Sequence, residues 1–217
     1  MAKTEVARTS YVASGDGTEV PGRVTRQGSM IVTDQITQWA LEGRLYHISP
    51  DVQETPPLAG ETVPGTDNVN PSILVDVPEG TTIIPLELRL HNEGIGTVGD
   101  WLRNRIATDN IVRFASGGVT LTIHPNRKDT PHGSQCTAFH GGTQIVTVAN
   151  NIDDNQAYLV TNVLHRDFPS TEWSASTGVP PVLVGPASFL VYVDVNNADE
   201  GVAFSVTWAE FPTNEII

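Results

Sequence analysis

The chain has one cysteine, Cys136, with a histidine four residues away on either side, His132 and His140. Thiolate and imidazole are ligands that zinc takes, with bonds of about 2 Å. On an extended strand, steps of four keep the three side chains on one face, but each step spans about 13 Å. One ion reaches all three only if Gly133 and Gly141-Gly142 fold the segment back. The expectation is therefore that His132, Cys136 and His140 hold no metal and no cofactor, with the histidines as satisfied surface or subunit-contact residues.

Other chemistry is thinner still. Asp153-Asp154 and Asp199-Glu200 are adjacent carboxylates of the sort that flank a sugar bond in a glycosidase. Both pairs sit in Asn- and Gly-rich stretches, where Asp is favoured for its hydrogen bonds to nearby backbone. Neither a phosphate-cradling loop nor a GxSxG nucleophile elbow occurs, and Gly94-Ile95-Gly96 is not followed by a helix pattern. A cupin-like metalloenzyme would bring histidines and a carboxylate together inside a barrel. The compact His-x-His with a following Glu is missing around His124, His132 and His140. Of the four tryptophans, Trp39, Trp101, Trp173 and Trp208, the last is in phase with Val202, Phe204 and Val206 and is expected in the core. Trp173, in a Ser- and Thr-rich segment, is the one expected to be exposed, where it could stack on a sugar. No catalytic residue is expected, and the chain is read as a non-enzyme.

Charge narrows the partners. Asp and Glu number 25 against 12 Lys and Arg, a formal charge of -13. A phosphate backbone is repelled by such a surface unless the cations gather on one face. Lys3, Arg8, Arg23 and Arg26 are the nearest to a basic arm, and Glu5, Asp16 and Glu19 dilute it. Direct nucleic-acid binding is not expected. A membrane span is not expected either, since no apolar run approaches about 20 residues. The N-terminus lacks the layout of a secretory signal, so the protein is expected to be soluble and made in the cytoplasm. A lone cysteine excludes an intrachain disulfide framework.

The elements that would carry these residues are mostly strands. Residues 1–22 are polar and broken by Gly and Pro, and read as a flexible N-terminal arm. Residues 23–217 read as a single β-sandwich domain. After a short strand at Ser29 to Thr33, the stretch from Gln35 to Ser49 reads as a long strand with a bulge at Glu42-Gly43. A helix from Asp34 to Leu45, capped by Asp34, is the alternative. Pro50 to Asn70 is a loop on its prolines and glycines. Strands are expected at Ser72 to Val77 and at Thr81 to His91, where Ile84, Leu86, Leu88 and Leu90 give the cleanest alternation. Others follow at Ile95 to Ile106, Val119 to His124, Thr143 to Val148 and Ala157 to Leu164. A turn-rich connection from Phe168 to Pro181 comes next. Ala187 to Val195 and Val202 to Phe211 alternate well and read as a closing hairpin with one buried face. Eight to ten strands with long loops point to an all-β, antiparallel, jelly-roll type two-sheet sandwich.

The last segments, Gly185 to Asp194 and Val202 to Phe211 followed by the polar tail Pro212 to Ile217, resemble the closing strands of viral (phage-like) single jelly-roll coat proteins. Thr/Val-rich strands, low charge, proline-rich loops and an N-terminal arm strengthen the resemblance. It implies a virion location and a capsid subunit that assembles with copies of itself and with other virion proteins. A carbohydrate- or receptor-binding sandwich of a viral tail or spike is the alternative from another class, with a surface glycan or receptor as partner.

Overall fold

The computed structural model describes residues 34–50, 69–92, 102–129, 133–146, 154–161, 170–176, 179–195 and 202–215. The chain divides into Met1–Gln38 and Trp39–Ile217. The arm at 1–22, the strand expected at Ser29 to Thr33 and most of the Pro50 to Asn70 loop lie outside the described residues.

The expected long strand from Gln35 is instead a helix, α1 (Gln35–Leu41), followed by β1 (Leu45–Ile48). Local capping decides the outcome. Asp34 Oδ1 accepts the Thr37 N–H at 2.9 Å and Oδ2 accepts the Thr37 hydroxyl at 2.5 Å, which holds the Asp34 carboxyl below its ordinary range. At the other end Gly43 takes φ 76°, its N–H reaches the Ala40 carbonyl at 3.1 Å, and the Arg44 N–H reaches Trp39 at 2.9 Å. That paired closure is a Schellman cap, which wants glycine in the left-handed region.

The remaining strands are β2 (Ile73–Val77), β3 (Thr81–Asn92), β4 (Leu102–Asp109), β5 (Phe114–Thr120), β6 (His124–Pro125), β7 (Thr137–Ile145), β8 (Asp154–Thr161), β9 (Ser170–Ser174), β10 (Leu183–Val184), β11 (Ala187–Val195) and β12 (Val202–Pro212). Among the described residues these form two six-stranded antiparallel sheets. One runs β10-β3-β12-β1-β6, with β9 also on β3; the other runs β5-β7-β2-β11-β4-β8. Strand β9 corrects the expectation of a wholly turn-rich Phe168 to Pro181. Strands β5 and β7 begin earlier than the patterns at Val119 and Thr143 suggested.

Eight of these strands nest. Along the chain they are β1, β2, β3, β4, β8, β9, β11 and β12, and the first pairs with the last, the second with the seventh, the third with the sixth and the fourth with the fifth. The result is one long antiparallel hairpin rolled into two sheets, β1-β12-β3-β9 and β2-β11-β4-β8. This is the connectivity of a jelly roll. Strands β5 to β7 are inserted between the fourth and fifth of these strands and widen both sheets, β6 beside β1 and β7 beside β2.

The nesting overturns the closing hairpin. β11 and β12 lie in different sheets, β11 between β2 and β4 and β12 between β1 and β3. Alternation reveals a buried face but not a partner, so two well-patterned neighbours in sequence looked paired. β11 is also buried on both faces. Ala187, Phe189, Val191 and Val193 enter the core between the sheets, where they meet Val75, Leu88, Val206 and Trp208. Leu190 and Tyr192 join Leu74, Ala107 and Ile145 in a second cluster on the outer face.

The alternation in β3 is also interrupted. Against β12 the register slips between Thr207 and Trp208, which pair with Glu87 and Pro85 and leave Leu86 as an extra residue. Pro85 has no N–H to give the ladder, and a bulge accommodates it. The slip sends Leu88 and Leu90 into the main core, but Ile84 and Leu86 to the opposite face with Leu45, Ala209 and Phe211. Trp39 covers that outer cluster, edge-on to Phe211 at 5.2 Å.

Candidate functional site

Cys136 is 6% exposed and packs in the main core beside Ala138. Burial pushes its thiol well above the ordinary range, and the nearby Glu210 charge adds to the effect. It is therefore an apolar filler rather than a thiolate ligand. His140, half-buried, pairs with Ile73 across β7 and β2 and lies 5.8 Å from the Phe204 ring. His132 lies outside the described residues. Among the described residues no group of three His, Cys, Asp or Glu side chains is placed to hold a metal. His124 instead meets His47 across β1 and β6, ring centroids 5.6 Å apart, with His47 Nδ1 2.6 Å from Asn126 Oδ1.

The carboxylate pairs lie at or beyond the edge of the described residues: Asp154 opens β8, while Asp153, Asp199 and Glu200 fall outside. Trp208 is buried, as its phase predicted. Trp173 is not exposed; β9 sets it opposite Leu88 and it packs against the main core. Trp101 lies outside the described residues.

A polar row crosses the outer face of the second sheet. Asp76, Ser188 and Asp109 stand side by side on β2, β11 and β4, and all three are buried. Asp76 accepts the N–H groups of Arg113 at 3.1 Å and Phe114 at 2.9 Å, and Ser188 Oγ lies 2.5 Å away. The Arg113 guanidinium forms a buried ion pair with Asp109 and donates to the Val146 carbonyl at 2.9 Å. The row fastens the start of the β5–β7 insertion to the sheet. Ser188 Oγ bonds to the Asp76 carboxylate and to the Ile111 carbonyl, at 2.5 and 2.7 Å.

A pocket of about 600 Å³ indents the described surface. Four separate stretches wall it: 42–46 after α1, the β2–β3 turn at 79–81, residues 133 and 135 before β7, and 210–215 at the end of β12. At its wall Glu210 is only 8% exposed. Its carboxylate accepts the Ser134 hydroxyl at 2.5 Å, the Gln135 N–H at 2.8 Å and the Trp208 indole N–H at 3.4 Å. Arg44 is bound by Glu42 at 3.0 Å and Glu215 at 2.6 Å, and its guanidinium carbon lies 5.0 Å from the Phe211 ring centre. Burial, then the Glu210 charge, raises Tyr46 above the usual phenol range. None of these residues was singled out by motif, because the pocket is assembled across 170 residues of sequence by strand order alone. Comparison of the chain with protein-family models, curated proteins and solved structures finds no match.

Proposed function

We propose that the chain is a virion structural protein, a capsid or coat subunit that assembles with copies of itself and with other virion proteins and works by contact rather than catalysis. The nested strand pairing carries the reading. Double-sheet jelly rolls serve as viral capsid domains, as lectins and as cupins, and the sequence style of the closing strands favours the first. Exposed valines support it. Val119 lies in β5 with Val112 and Val146 beside the inserted β5–β7 segment, and Val184 lies in β10 with Val179 and Val182 just before it; Val179 is 95% exposed. Apolar side chains grouped at sheet edges are the material of subunit contacts. The charge of -13 favours protein neighbours over nucleic acid. Such a subunit would be made in a host cytoplasm and reside in the virion.

Sedimentation velocity and negative-stain imaging of the purified protein test the proposal. Rings, capsomers or shells support it, and a monomer at all concentrations, salts and pH values counts against it. The pocket favours the second reading, a receptor- or glycan-binding module of a tail or spike, which would be a monomer or small oligomer that binds on a glycan array.

A further inference from the structure

We infer that the pocket beside Glu210 binds a small organic cation, a primary ammonium or guanidinium group on a short carbon stem. The inference is independent of the coat-subunit reading. On the pocket wall the chain supplies one cation of its own: Arg44 sits between Glu42 and Glu215 and over the face of Phe211. Glu210 lines the same pocket, and none of its partners among the described residues is a cation. Glu210 is held by a hydroxyl, a backbone N–H and an indole N–H, all neutral. A buried carboxylate is normally matched by a positive charge, and the Glu210 oxygens, with three donors between them, have acceptor capacity left to offer.

The space beside it is open. A Cβ built at Gly80 or at Gly133, both on the pocket wall, would meet nothing within 4 Å. Glu79, exposed on the β2–β3 turn, adds a second carboxylate to the lining, and Tyr46 adds aromatic surface. The size and donor set favour an organic ligand over a metal. About 600 Å³ is the volume of a small-molecule site, whereas calcium wants six to eight converging oxygens, and no three-residue metal cluster occurs among the described residues.

Amide and indole NMR signals of the full chain test this. n-Butylammonium chloride is titrated while Gln135 N–H and Trp208 Nε1–H are followed, with NaCl and CaCl₂ in parallel at matched ionic strength. The expected result is a saturable shift of both signals with butylammonium only. Glu210→Gln should weaken binding at least tenfold and Glu79→Gln by a smaller factor. Glu172→Gln, on the β9 surface, should leave it unchanged. If Glu210→Gln does not fold, Glu79→Gln decides. Equal shifts with NaCl, saturation by CaCl₂, or binding indifferent to the pocket carboxylates would overturn the inference.

Discussion

Asp76 shows how a single buried carboxylate can hold an insertion in place. It is 3% exposed and ties two backbone N–H groups and a hydroxyl. Asp76→Ala leaves those donors without their acceptor in a buried site, so it should cost about 3–5 kcal/mol, read as a lower urea midpoint; a loss under about 1 kcal/mol would show that water replaces the carboxylate. Cys136 makes a prediction about pH. Its folded thiol is raised above the unfolded value of about 8.5, so both states are protonated below that pH and no stability is lost there. Above it the unfolded chain ionises while the folded thiol stays neutral, and stability falls as pH rises. Cys136→Ala should flatten the fall from about pH 8.5 upwards, most clearly below about pH 10, above which Tyr46, raised in the same direction, adds its own share. Parallel wild-type and variant slopes in urea titrations would remove the thiol from the account. The thiol itself was legible as a candidate, but its environment was not. Spacing puts a side chain on a face, and only sheet pairing tells whether that face is wet.

At the scale of elements, the sequence was informative wherever one strand's pattern sufficed. β2, β11 and β12 fall where alternation put them, and β8 is a strand as expected. Information was lost wherever the answer lay in a partner. The bulge at Leu86 and the separation of β11 from β12 are set by neighbours that a linear pattern does not name. α1 is the converse: Asp34 and Gly43 carried the cap signals, and their local hydrogen bonds prevailed over an ambiguous apolar pattern. Two glycines around the β2–β3 turn separate conformational strain from crowding. Gly80 has φ +84° and free space, so Gly80→Ala should cost only about 1 kcal/mol. Gly185 lets its backbone approach the turn, and a Cβ there would lie 1.9 Å from the Pro78 carbonyl oxygen. Backbone cannot yield as a flexible side chain does, so Gly185→Ala should cost clearly more, about 3 kcal/mol or above by chemical denaturation. Equal losses at the two sites would mean that the turn moves away freely.

For the whole molecule, the opposing quantities are a charge of -13 on each copy and the apolar side chains at the sheet edges. Repulsion between like-charged copies reaches about 10 Å at 0.1 M salt and about 3 Å at 1 M, while valine burial is largely indifferent to salt of this kind. Assembly of a shell subunit should therefore grow from 0.1 to 1 M NaCl, and also as pH is lowered towards the isoelectric point near 4.7. The valines supply the specific arm of the test. Val182→Asp and Val119→Asp each place a carboxylate on an exposed edge position without entering a core cluster. The folded monomer should keep its unfolding free energy, by urea titration, within about 0.5 kcal/mol. An apolar contact that must bury an unpaired carboxylate is strongly disfavoured, so the assembled fraction at 1 M NaCl should fall to a small part of wild type in sedimentation velocity. Loss in one variant alone assigns the contact to that edge. Assembly undiminished in both would place the subunit contacts on other surfaces, and association that salt weakens would point to charge pairing instead of apolar burial.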